Sequence, residues 1–329
     1  MPPAPSSPRI KPTALQPGDT VGVIAPASNI QRDLLASGCE SLRRLGYKPF
    51  YFDSIFEKDL YFAGSVERRA RELEEMFERP EVRAIICARG GYGTNYLLEA
   101  IDLVKIRVHP KIFVGYSDIT TLLTYFADAA GFVTFHGPMV TKDFSHSDGV
   151  DLHSWRGAVC GATDWAIPLG PQSGVKALVD GAAHGILYGG CLSMLAASLG
   201  TPYEISTAGT ILFIEDVAAK PYQIDRMLMQ LKLAGKFDAV QGIIFGEMLD
   251  CVQRPDQGYT LEEVILRIVG ELGIPIVDGL RSGHVSRENV TLPIGVRAEL
   301  QVSGERINFR ILEPAAIAAA SVHVKSQKL

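Results

Sequence analysis

The chain has few cysteines, and no two of them have a paired spacing. There are five, an odd number, and no Cys-x-x-Cys pair occurs among Cys39, Cys87, Cys160, Cys191 and Cys251. Four of them lie in apolar segments, where reduced core thiols are the ordinary state. Because a thiol pKa rises in such a segment, a nucleophilic role for Cys87 or Cys191 is disfavoured.

Metal-ligand spacings are also missing. The seven histidines form no His-x-x-x-His or His-Glu-x-x-His pattern, and no Cys/His cluster has ligand spacing. We therefore expect an activity that uses neither a metal nor another cofactor.

Positive charge and long apolar runs are scarce as well. The formal net charge is −5, from 32 basic and 37 acidic residues, which argues against a nucleic-acid partner. No segment approaches the ~20 consecutive apolar residues that span a bilayer, so we expect no membrane contact. Residues 1–16 hold no apolar run able to serve as a signal peptide. We therefore expect a cytoplasmic protein.

The chain does have the length and apolar content of two domains. Its 329 residues are 47% hydrophobic and 21% charged, which is typical of a soluble globular protein too long for one ordinary core. We predict an N-terminal α/β domain over residues 1–150, an irregular interdomain crossing segment over 151–180, and a C-terminal α+β domain over 181–329.

In the first half, short apolar runs alternate with segments of helical spacing, which indicates a doubly wound, mostly parallel sheet. The predicted strands are 20–25, 48–53, 83–87, 111–115 and 132–136, and the predicted helices are 30–45 and 65–78. Ligands bind beyond the carboxyl ends of such strands. Arg89-Gly-Gly, Ser117 and His136 all fall at those ends.

The second half mixes both element types. The predicted strands are 209–214, 239–246, 298–303 and 306–312, and the predicted helices are 221–233 and 261–272. Gly304-Glu305 between the last two strands is a hairpin signal. Thr260-x-x-Glu263 is a capping box that opens the second helix.

The most informative stretch is Lys111-Ile-Phe-Val-Gly-Tyr-Ser-Asp-Ile-Thr-Thr-Leu-Leu123, a strand that turns abruptly into a helix. A serine on such a turn has the placement of a nucleophile elbow, although the G-x-S-x-G lettering is absent. The free N–H groups and the helix dipole there favour the negative charge of an acyl-transfer transition state. Considered alone, Ser117 is more simply a helix N-cap, and Asp118 could cap the same helix.

Two partners for such a serine lie downstream. Glu215 ends an apolar strand and could either orient an imidazole or cap the next helix. His284 lies in a loop without helical or strand period, so its ring is not required for packing. In contrast, we interpret His109, His136 and His184 as satisfied structural histidines.

The turn Arg89-Gly-Gly-Tyr-Gly93 permits three interpretations. Its N–H groups could cradle a phosphate, but it lacks the Lys-Ser/Thr of a P-loop and the spacing of G-x-G-x-x-G. One N–H group could instead point at an oxyanion. A tight turn with positive φ explains the glycines equally well.

Together these residues resemble the LD-carboxypeptidase family of serine peptidases, which includes murein tetrapeptide carboxypeptidases and microcin C self-immunity proteins. The resemblance covers about residues 15 to 313 and keeps the family's motif order. The matching motifs are Leu15-Gln-Pro-Gly-Asp-Thr-Val-Gly-Val-Ile-Ala-Pro26, Ala88-Arg-Gly-Gly-Tyr-Gly93, Gly115-Tyr-Ser-Asp-Ile-Thr120, His136-Gly-Pro-Met139, Gly189-Gly190, Gly200-Thr-Pro-Tyr203, Glu215-Asp216, Pro221-Tyr222, Ile224-Asp-Arg226, Gly283-His284 and Asn289-x-Thr-Leu-Pro-Ile-Gly295.

The resemblance implies a Ser-His-Glu triad of Ser117, His284 and Glu215, with the N–H groups of Asp118 and Gly91 as the oxyanion hole. It also implies an N-terminal domain similar to class I glutamine amidotransferases, a smaller C-terminal domain with a β-barrel-like sheet, and a homodimer. The implied substrate is a small peptide or muropeptide. Hydrolysis of an L,D-peptide bond would release the terminal D-Ala of murein tetrapeptide during cell-wall recycling.

Two other functions stay open. A microcin C-type immunity hydrolase would cleave a peptidyl- or aminoacyl-nucleotide and would need an aromatic platform, for which Trp155 and Trp165 are candidates. Trp165 is more simply read as interdomain packing. A non-hydrolytic ligand-binding module would keep the fold without the reaction, which the intact Ser, Glu and His argue against.

Some positions bear on the substrate rather than on the reaction. The chain departs from the family's pattern at Cys191, Ala219 and Glu247, where Asn, an acid and Arg are frequent. The residue that captures the substrate carboxylate is not identified by any motif, and Arg89 is our guess for it.

Overall fold

The structure is a computed structural model, and it describes residues 8–167, 169, 173–252 and 255–318. It is a mixed α/β fold built on two sheets, as the sequence predicts. The helices are α1 Arg32–Arg44, α2 Val66–Glu78, α3 Leu103–Val108, α4 Thr120–Tyr125, α5 Leu152–Val159, α6 Leu192–Ala197, α7 Pro221–Leu233 and α8 Leu261–Val269. Among these described residues, no helix has the length and apolar character needed to cross a membrane.

The strands of the first half are β1 Thr20–Ile24, β2 Lys48–Phe50, β3 Val82–Cys87, β4 Ile112–Gly115 and β5 Thr134–His136. Those of the second half are β6 Trp165–Ile167, β7 Lys176–Val179, β8 Gly181–Cys191, β9 Thr210–Glu215, β10 Gly242–Gly246, β11 Ile276–Leu280, β12 Leu292–Ile294, β13 Arg297–Ser303 and β14 Arg306–Ile311.

The first sheet has six strands in the order β12-β5-β4-β3-β1-β2. The five strands from the first half run parallel, and β12 adds an antiparallel edge with Leu292 opposite His136. Strands covered on both faces should be apolar throughout, and β4 is buried at every position. Residues of α1 pack on one face, and residues of α2, α3 and α4 pack on the other.

The second sheet has eight strands in the order β6-β14-β13-β8-β9-β10-β11-β7. Its centre, β8 to β11, is parallel, and the outer strands pair antiparallel. One hydrophobic cluster joins residues of both sheets, including Val114 of β4 and Phe213 of β9. A separate cluster packs α6, α7 and α8 against the opposite face of the second sheet.

Several elements were not predicted. Residues 151–180, expected to be irregular, contain α5, β6 and β7, although positions 168 and 170–172 of this segment lie outside the described residues. The longest strand, β8, was missed because its four glycines hide any alternation of apolar residues. Those glycines are needed for close approach, since a Cβ on Gly189 would lie 2.0 Å from the carbonyl oxygen of Phe213. The domain boundaries themselves stay a prediction.

A substitution at Gly38 would test how closely α1 packs against the segment that follows β5. A Cβ there would lie 2.1 Å from the carbonyl oxygen of Val140. In an open helix, Gly to Ala stabilises by about 0.5–1 kcal/mol. We expect Gly38→Ala to lower the free energy of unfolding by about 1–3 kcal/mol instead, because overpacking outweighs helix propensity.

Chemical denaturation measures this difference. The control is Glu40→Ala on the exposed face of the same helix, which should change the stability by no more than about 0.5 kcal/mol. A Gly38→Ala protein more stable than the parent would contradict the observed packing.

Candidate active site

Side chains from both sheets meet at the carboxyl ends of parallel strands. Ser117 follows β4, the glycine turn follows β3, Glu215 ends β9, and His284 lies in the loop after β11. Ser117 and His284 line one cavity of about 560 Å³, together with Gly90 and Gly91. The structure therefore brings the serine, the histidine and the glycine turn to a single cleft.

Ser117 lies at the turn between β4 and the helix that leads into α4. Its φ is +64°, a left-handed conformation that costs a non-glycine residue on the order of 1–3 kcal/mol. A serine held on a strained strand-to-helix turn is the geometry of a nucleophile elbow. Among the described residues, no backbone N–H donates a capping hydrogen bond to its hydroxyl, so the N-cap interpretation gains no support.

No hydrogen bond joins the Ser117 hydroxyl to the imidazole of His284 within the described part of the chain. The two side chains face the same cavity, and the ring of Tyr116 stands edge-on to the imidazole, with 5.1 Å between centroids. Catalytic hydrogen bonds of this kind often tighten only when substrate binds. The arrangement is compatible with proton transfer from the serine to His284.

His284 and Glu215 form the one direct contact of the predicted triad. Nδ1 of His284 is 2.8 Å from Oε2 of Glu215, and the backbone N–H of His284 donates to the same oxygen at 3.0 Å. Glu215 is fully buried, whereas the imidazole keeps an exposed fraction of 17%. With Nδ1–H donating to the carboxylate, Nε2 is left as the proton acceptor.

The pair is electrostatically coupled. Burial alone would lower the pKa of His284, but the Glu215 carboxylate and its hydrogen bond outweigh burial and raise that pKa above the ordinary 6.5. Burial would also raise the pKa of Glu215, but the charge of His284 and its hydrogen bonds hold the pKa below the usual value. The carboxylate therefore stays ionised and strengthens His284 as a base.

The loop that carries His284 is fixed by groups that the sequence analysis did not select as site residues. Asn289 is buried, its Oδ1 accepts from Gly283 N–H at 3.0 Å, and its amide donates to Asp143 at 3.2 Å. Glu247 accepts from the N–H of Ser286 at 3.0 Å. Asn289 belongs to one of the motifs that carry the resemblance, and this was the only signal that pointed to it.

Gly283 must be glycine for two reasons. Its φ is +90°, and a Cβ there would lie 2.6 Å from Cδ of Glu215. Any larger residue would push the carboxylate away from the imidazole. The requirement for glycine immediately before His284 is therefore steric.

The glycine turn lies directly against the serine. A Cβ on Gly90 would be 2.8 Å from Cβ of Ser117 and 3.1 Å from its hydroxyl oxygen. Gly91 has a φ of +106°, and Ser28 Oγ accepts from the next N–H group, that of Tyr92, at 3.1 Å. The geometry fits a tight turn with positive φ beside Ser117, and the role of its N–H groups stays a prediction.

A buried arginine stabilises the glycine turn through hydrogen bonds to backbone carbonyl oxygens. Arg69 of α2 is 2% exposed, and its guanidinium donates to the carbonyl oxygens of Pro26 at 2.7 Å and Gly93 at 2.9 Å. Asp118 is buried beside it and accepts from Thr94 N–H at 2.9 Å. These contacts tie the turns after β1, β3 and β4 into one rigid unit, which the charged pattern of α2 did not predict.

The interpretation of His136 as a satisfied structural residue is wrong. It is fully buried, yet within the part of the chain that the structure describes neither ring nitrogen has a hydrogen-bond partner. His109 and His184 do have partners: Nδ1 of His109 is 3.0 Å from the carbonyl oxygen of Lys105, and His184 pairs with Glu299 at 2.9 Å.

Neither tryptophan offers an exposed aromatic platform. Trp155 is 1% exposed and its Nε1 donates to the hydroxyl of Tyr47 at 3.3 Å. Trp165 is 7% exposed and packs closely on Gly157. Both belong to the cluster that joins the two sheets, so the candidacy of these residues for nucleobase stacking is not supported.

The other candidate groups are the cysteines in apolar segments and side chains that could bind a metal. Burial raises the pKa of Cys87 and Cys191 well above the usual value for a thiol. Among residues 8–167, 169, 173–252 and 255–318, no three or more His, Cys, Asp and Glu side chains are grouped as metal ligands.

Comparison with known families decides the classification. Residues 21–137 match the model of the LD-carboxypeptidase N-terminal domain, and residues 184–300 match that of the LD-carboxypeptidase C-terminal domain. The chain belongs to the LD-carboxypeptidase family. This result confirms the resemblance read from the motifs.

Relatives named as murein peptide carboxypeptidases and as microcin C7 self-immunity proteins are both similar to this LD-carboxypeptidase. The probable murein peptide carboxypeptidase of Bacillus subtilis is 41% identical over 300 residues, which are 89% of this chain and 92% of the relative. The microcin C7 self-immunity protein MccF of Escherichia coli is 30% identical over 326 residues, which are 89% and 93% of the two chains.

Solved structures agree with these sequence matches. The muramoyltetrapeptide carboxypeptidase from Oxalobacter formigenes superposes with a TM-score of 0.80 at 30% identity, covering 91% of this chain and 100% of that one. MccF in complex with glutamyl sulfamoyl guanosine gives a TM-score of 0.85 at 26% identity, covering 93% and 99%.

Glu215→Gln tests the coupling in the site. Removing the carboxylate charge leaves burial as the dominant influence, so we expect the pKa of His284 to fall from above 6.5 to below it. The shift is measured by following the ring protons of His284 by NMR as the pH is raised. Since an imidazole acts as a base only when neutral, labelling of Ser117 by a fluorophosphonate should rise through the same pH range.

The matched control is Glu247→Gln, which removes a carboxylate that contacts the same loop through Ser286 and does not contact the imidazole. In the Glu247→Gln variant, the pKa of His284 should stay above 6.5. If Glu215→Gln left the pKa of His284 raised, the assignment of Glu215 as its charge partner would fail.

Proposed function

We propose that this protein is a serine-type LD-carboxypeptidase that hydrolyses an L,D-peptide bond and releases a terminal D-amino acid, D-Ala from murein tetrapeptide. The observation that carries the proposal is the buried Glu215–His284 hydrogen bond, whose imidazole faces the cavity lined by the strained Ser117. The relatives named as murein peptide carboxypeptidases support the substrate class.

The reaction follows from the roles of these groups. Nε2 of His284 accepts the hydroxyl proton of Ser117 while Oγ attacks the carbonyl carbon before the terminal D-residue. The N–H groups of Asp118 and Gly91 stabilise the resulting oxyanion. The imidazolium then gives its proton to the leaving amine as the C–N bond breaks, and water, activated by His284, hydrolyses the acyl-enzyme.

A carboxypeptidase must also recognise the free carboxylate of its substrate. Arg89 and Lys142 line the cavity with Ser117, and Arg89 is held by one hydrogen bond to the carbonyl oxygen of Asn29 at 3.1 Å. A guanidinium can bind a carboxylate with two parallel hydrogen bonds. We assign capture of the terminal carboxylate to Arg89.

A second candidate is hydrolysis of an aminoacyl-nucleotide conjugate, as the ligand of MccF suggests. The aromatic platform that this reaction needs could come from Tyr92 and Tyr96, which are 41% and 50% exposed and lie beside the glycine turn. The two candidates share the same chemistry at Ser117 and differ in the leaving group.

Three finer expectations belong to the same proposal. We propose a homodimer, a cytoplasmic location, and domains similar to a class I glutamine amidotransferase and to a β-barrel-like sheet. Sedimentation velocity measures the first, and fractionation of cells that express the tagged protein measures the second.

Ser117→Ala should abolish release of D-Ala. Loss of the attacking oxygen lowers kcat by a factor of about 10⁶ in serine peptidases, while the fold should be retained. The assay incubates the protein with an L,D-tetrapeptide and, separately, with an aminoacyl sulfamoyl adenylate, and follows the products by mass spectrometry.

The matched control is Ser37→Ala, an exposed serine on α1, which should keep full activity. Cleavage of only the adenylate would replace the proposed substrate by the second candidate. Turnover of neither substrate, with no labelling of Ser117 by a fluorophosphonate, would support a non-hydrolytic module.

Arg89→Gln should raise KM for the tetrapeptide by about 10- to 100-fold, the effect of losing one charged hydrogen-bond partner, with kcat within about threefold. A tetrapeptide amide separates binding of the carboxylate from other effects. The parent should discriminate strongly against the amide, and the variant should not.

Arg43→Gln, at an exposed arginine of α1 outside the cavity, is the control and should leave both constants unchanged. Equal discrimination against the amide by the Arg89 variant and the parent would assign carboxylate capture to another residue.

A further inference from the structure

Behind the Glu215–His284 pair lies a histidine that the reaction described above does not use. His136 ends β5, beside Gly115 of β4 and opposite Leu292 of β12. It is fully buried, and neither Nδ1 nor Nε2 has a hydrogen-bond partner among the described residues. Buried polar atoms without a partner are rare in folded proteins and call for an explanation.

The ring of His136 is locked by its neighbours. Its centroid is 5.1 Å from the ring of Phe213 and 6.0 Å from that of Tyr116. Tyr116 in turn touches the imidazole of His284. The side chain is therefore part of the packing that surrounds the catalytic pair.

Nε2 of His136 lies near the carboxylate of Glu215. A Cβ on Gly283 would lie 2.8 Å from this nitrogen and 2.8 Å from Oε2 of Glu215. Both groups thus border the same point, and their charges interact. Among the described residues no direct hydrogen bond joins them, and a buried water molecule can bridge polar groups that do not touch.

One carboxylate oxygen of Glu215 lacks a hydrogen-bond donor among the described residues, and His136 can supply one. Oε2 accepts from both N–H groups of His284, whereas Oε1 is buried and has no hydrogen-bond partner in the described ranges of the chain. Burial lowers the pKa of His136 to about 4, so its imidazole is neutral at physiological pH and carries a single N–H donor.

We propose that His136 is a positioning residue of the triad: its neutral ring donates from Nε2, through one bridging water, to Oε1 of Glu215. This hydrogen bond fixes the carboxylate plane so that Oε2 faces Nδ1 of His284. The predicted effect on kcat rests on the proposed function, whereas the predicted hydrogen bond does not.

Two substitutions separate the donor from the packing. His136→Phe keeps an aromatic ring and removes the donor, whereas His136→Gln places an amide N–H near the position of Nε2. We expect His136→Phe to lower kcat for D-Ala release by about 10- to 100-fold with KM within about threefold, the scale of a small misplacement of a catalytic group. His136→Gln should retain kcat within about threefold of the parent.

Thr134→Val is the matched control for loss of a buried polar group from the same strand. The hydroxyl of Thr134 donates to the carbonyl oxygen of Leu123 at 3.1 Å, away from the triad. This variant should lose stability without losing kcat. An unchanged kcat in His136→Phe, or an equal loss in His136→Gln and His136→Phe, would overturn the proposal.

A spectroscopic readout on the parent protein does not depend on either variant folding. Long-range ¹H–¹⁵N spectra of protein with labelled histidine should show His136 as the neutral Nε2–H tautomer. An imidazolium, or a ring protonated at Nδ1, would contradict the proposal.

Labelling of Ser117 by a fluorophosphonate keeps this test distinct from that of the substrate. A slower labelling rate in His136→Phe but not in His136→Gln would support the positioning role even if the parent released no D-Ala. In that case the proposed substrate would be wrong and the role of His136 would stand.

Discussion

The hydrogen bond between Glu215 and His284 constrains everything around it. The carboxylate is fully buried and ionised, and a buried charge is tolerated only with donors in good geometry. Both donors to Oε2 come from one residue, His284, through its ring and its backbone. The carboxylate therefore fixes the conformation of the loop as well as the orientation of the imidazole.

That constraint explains residues far from the reacting bond. Gly283 is required because a Cβ would displace the carboxylate, and Asn289 is required because its amide holds both the N–H and the carbonyl of Gly283. On the opposite side of the cleft, Arg69 does similar work for the glycine turn. The site is thus preorganised on two separate sheets, each with its own internal support.

Much of this could be predicted from local sequence. The apolar run before Ser117 and the sharp turn after it mark a buried strand end, and the bounds of α7 were predicted to the residue because Pro221 opens it and its apolar spacing is regular. The capping box of α8 is present, with Thr260 and Glu263 bonded reciprocally. Ser117, Glu215 and His284 were all selected because each stands at a strand end or in an unpatterned loop.

What could not be predicted depends on contacts distant in sequence. Arg68 and Arg69 look like solvent-exposed charges on α2, yet both are buried because Glu72 and backbone carbonyl oxygens accept from them. His136 looked structural because a histidine in an apolar strand usually finds a partner, and only the fold shows that it lies near the carboxylate of Glu215. The pairing of β12 with β5 joins segments more than 150 residues apart and leaves no local trace.

That last pairing has a consequence for how the two halves relate. The regions matched by the N- and C-terminal family models end and begin at residues 137 and 184, but β12 from the second region completes the first sheet. An isolated N-terminal half would expose β5 as an open, apolar edge, the kind of surface that recruits other strands and aggregates. The first sheet is therefore complete only when the second region has folded onto it, and the two regions share a hydrogen-bonded strand in addition to their packing contacts.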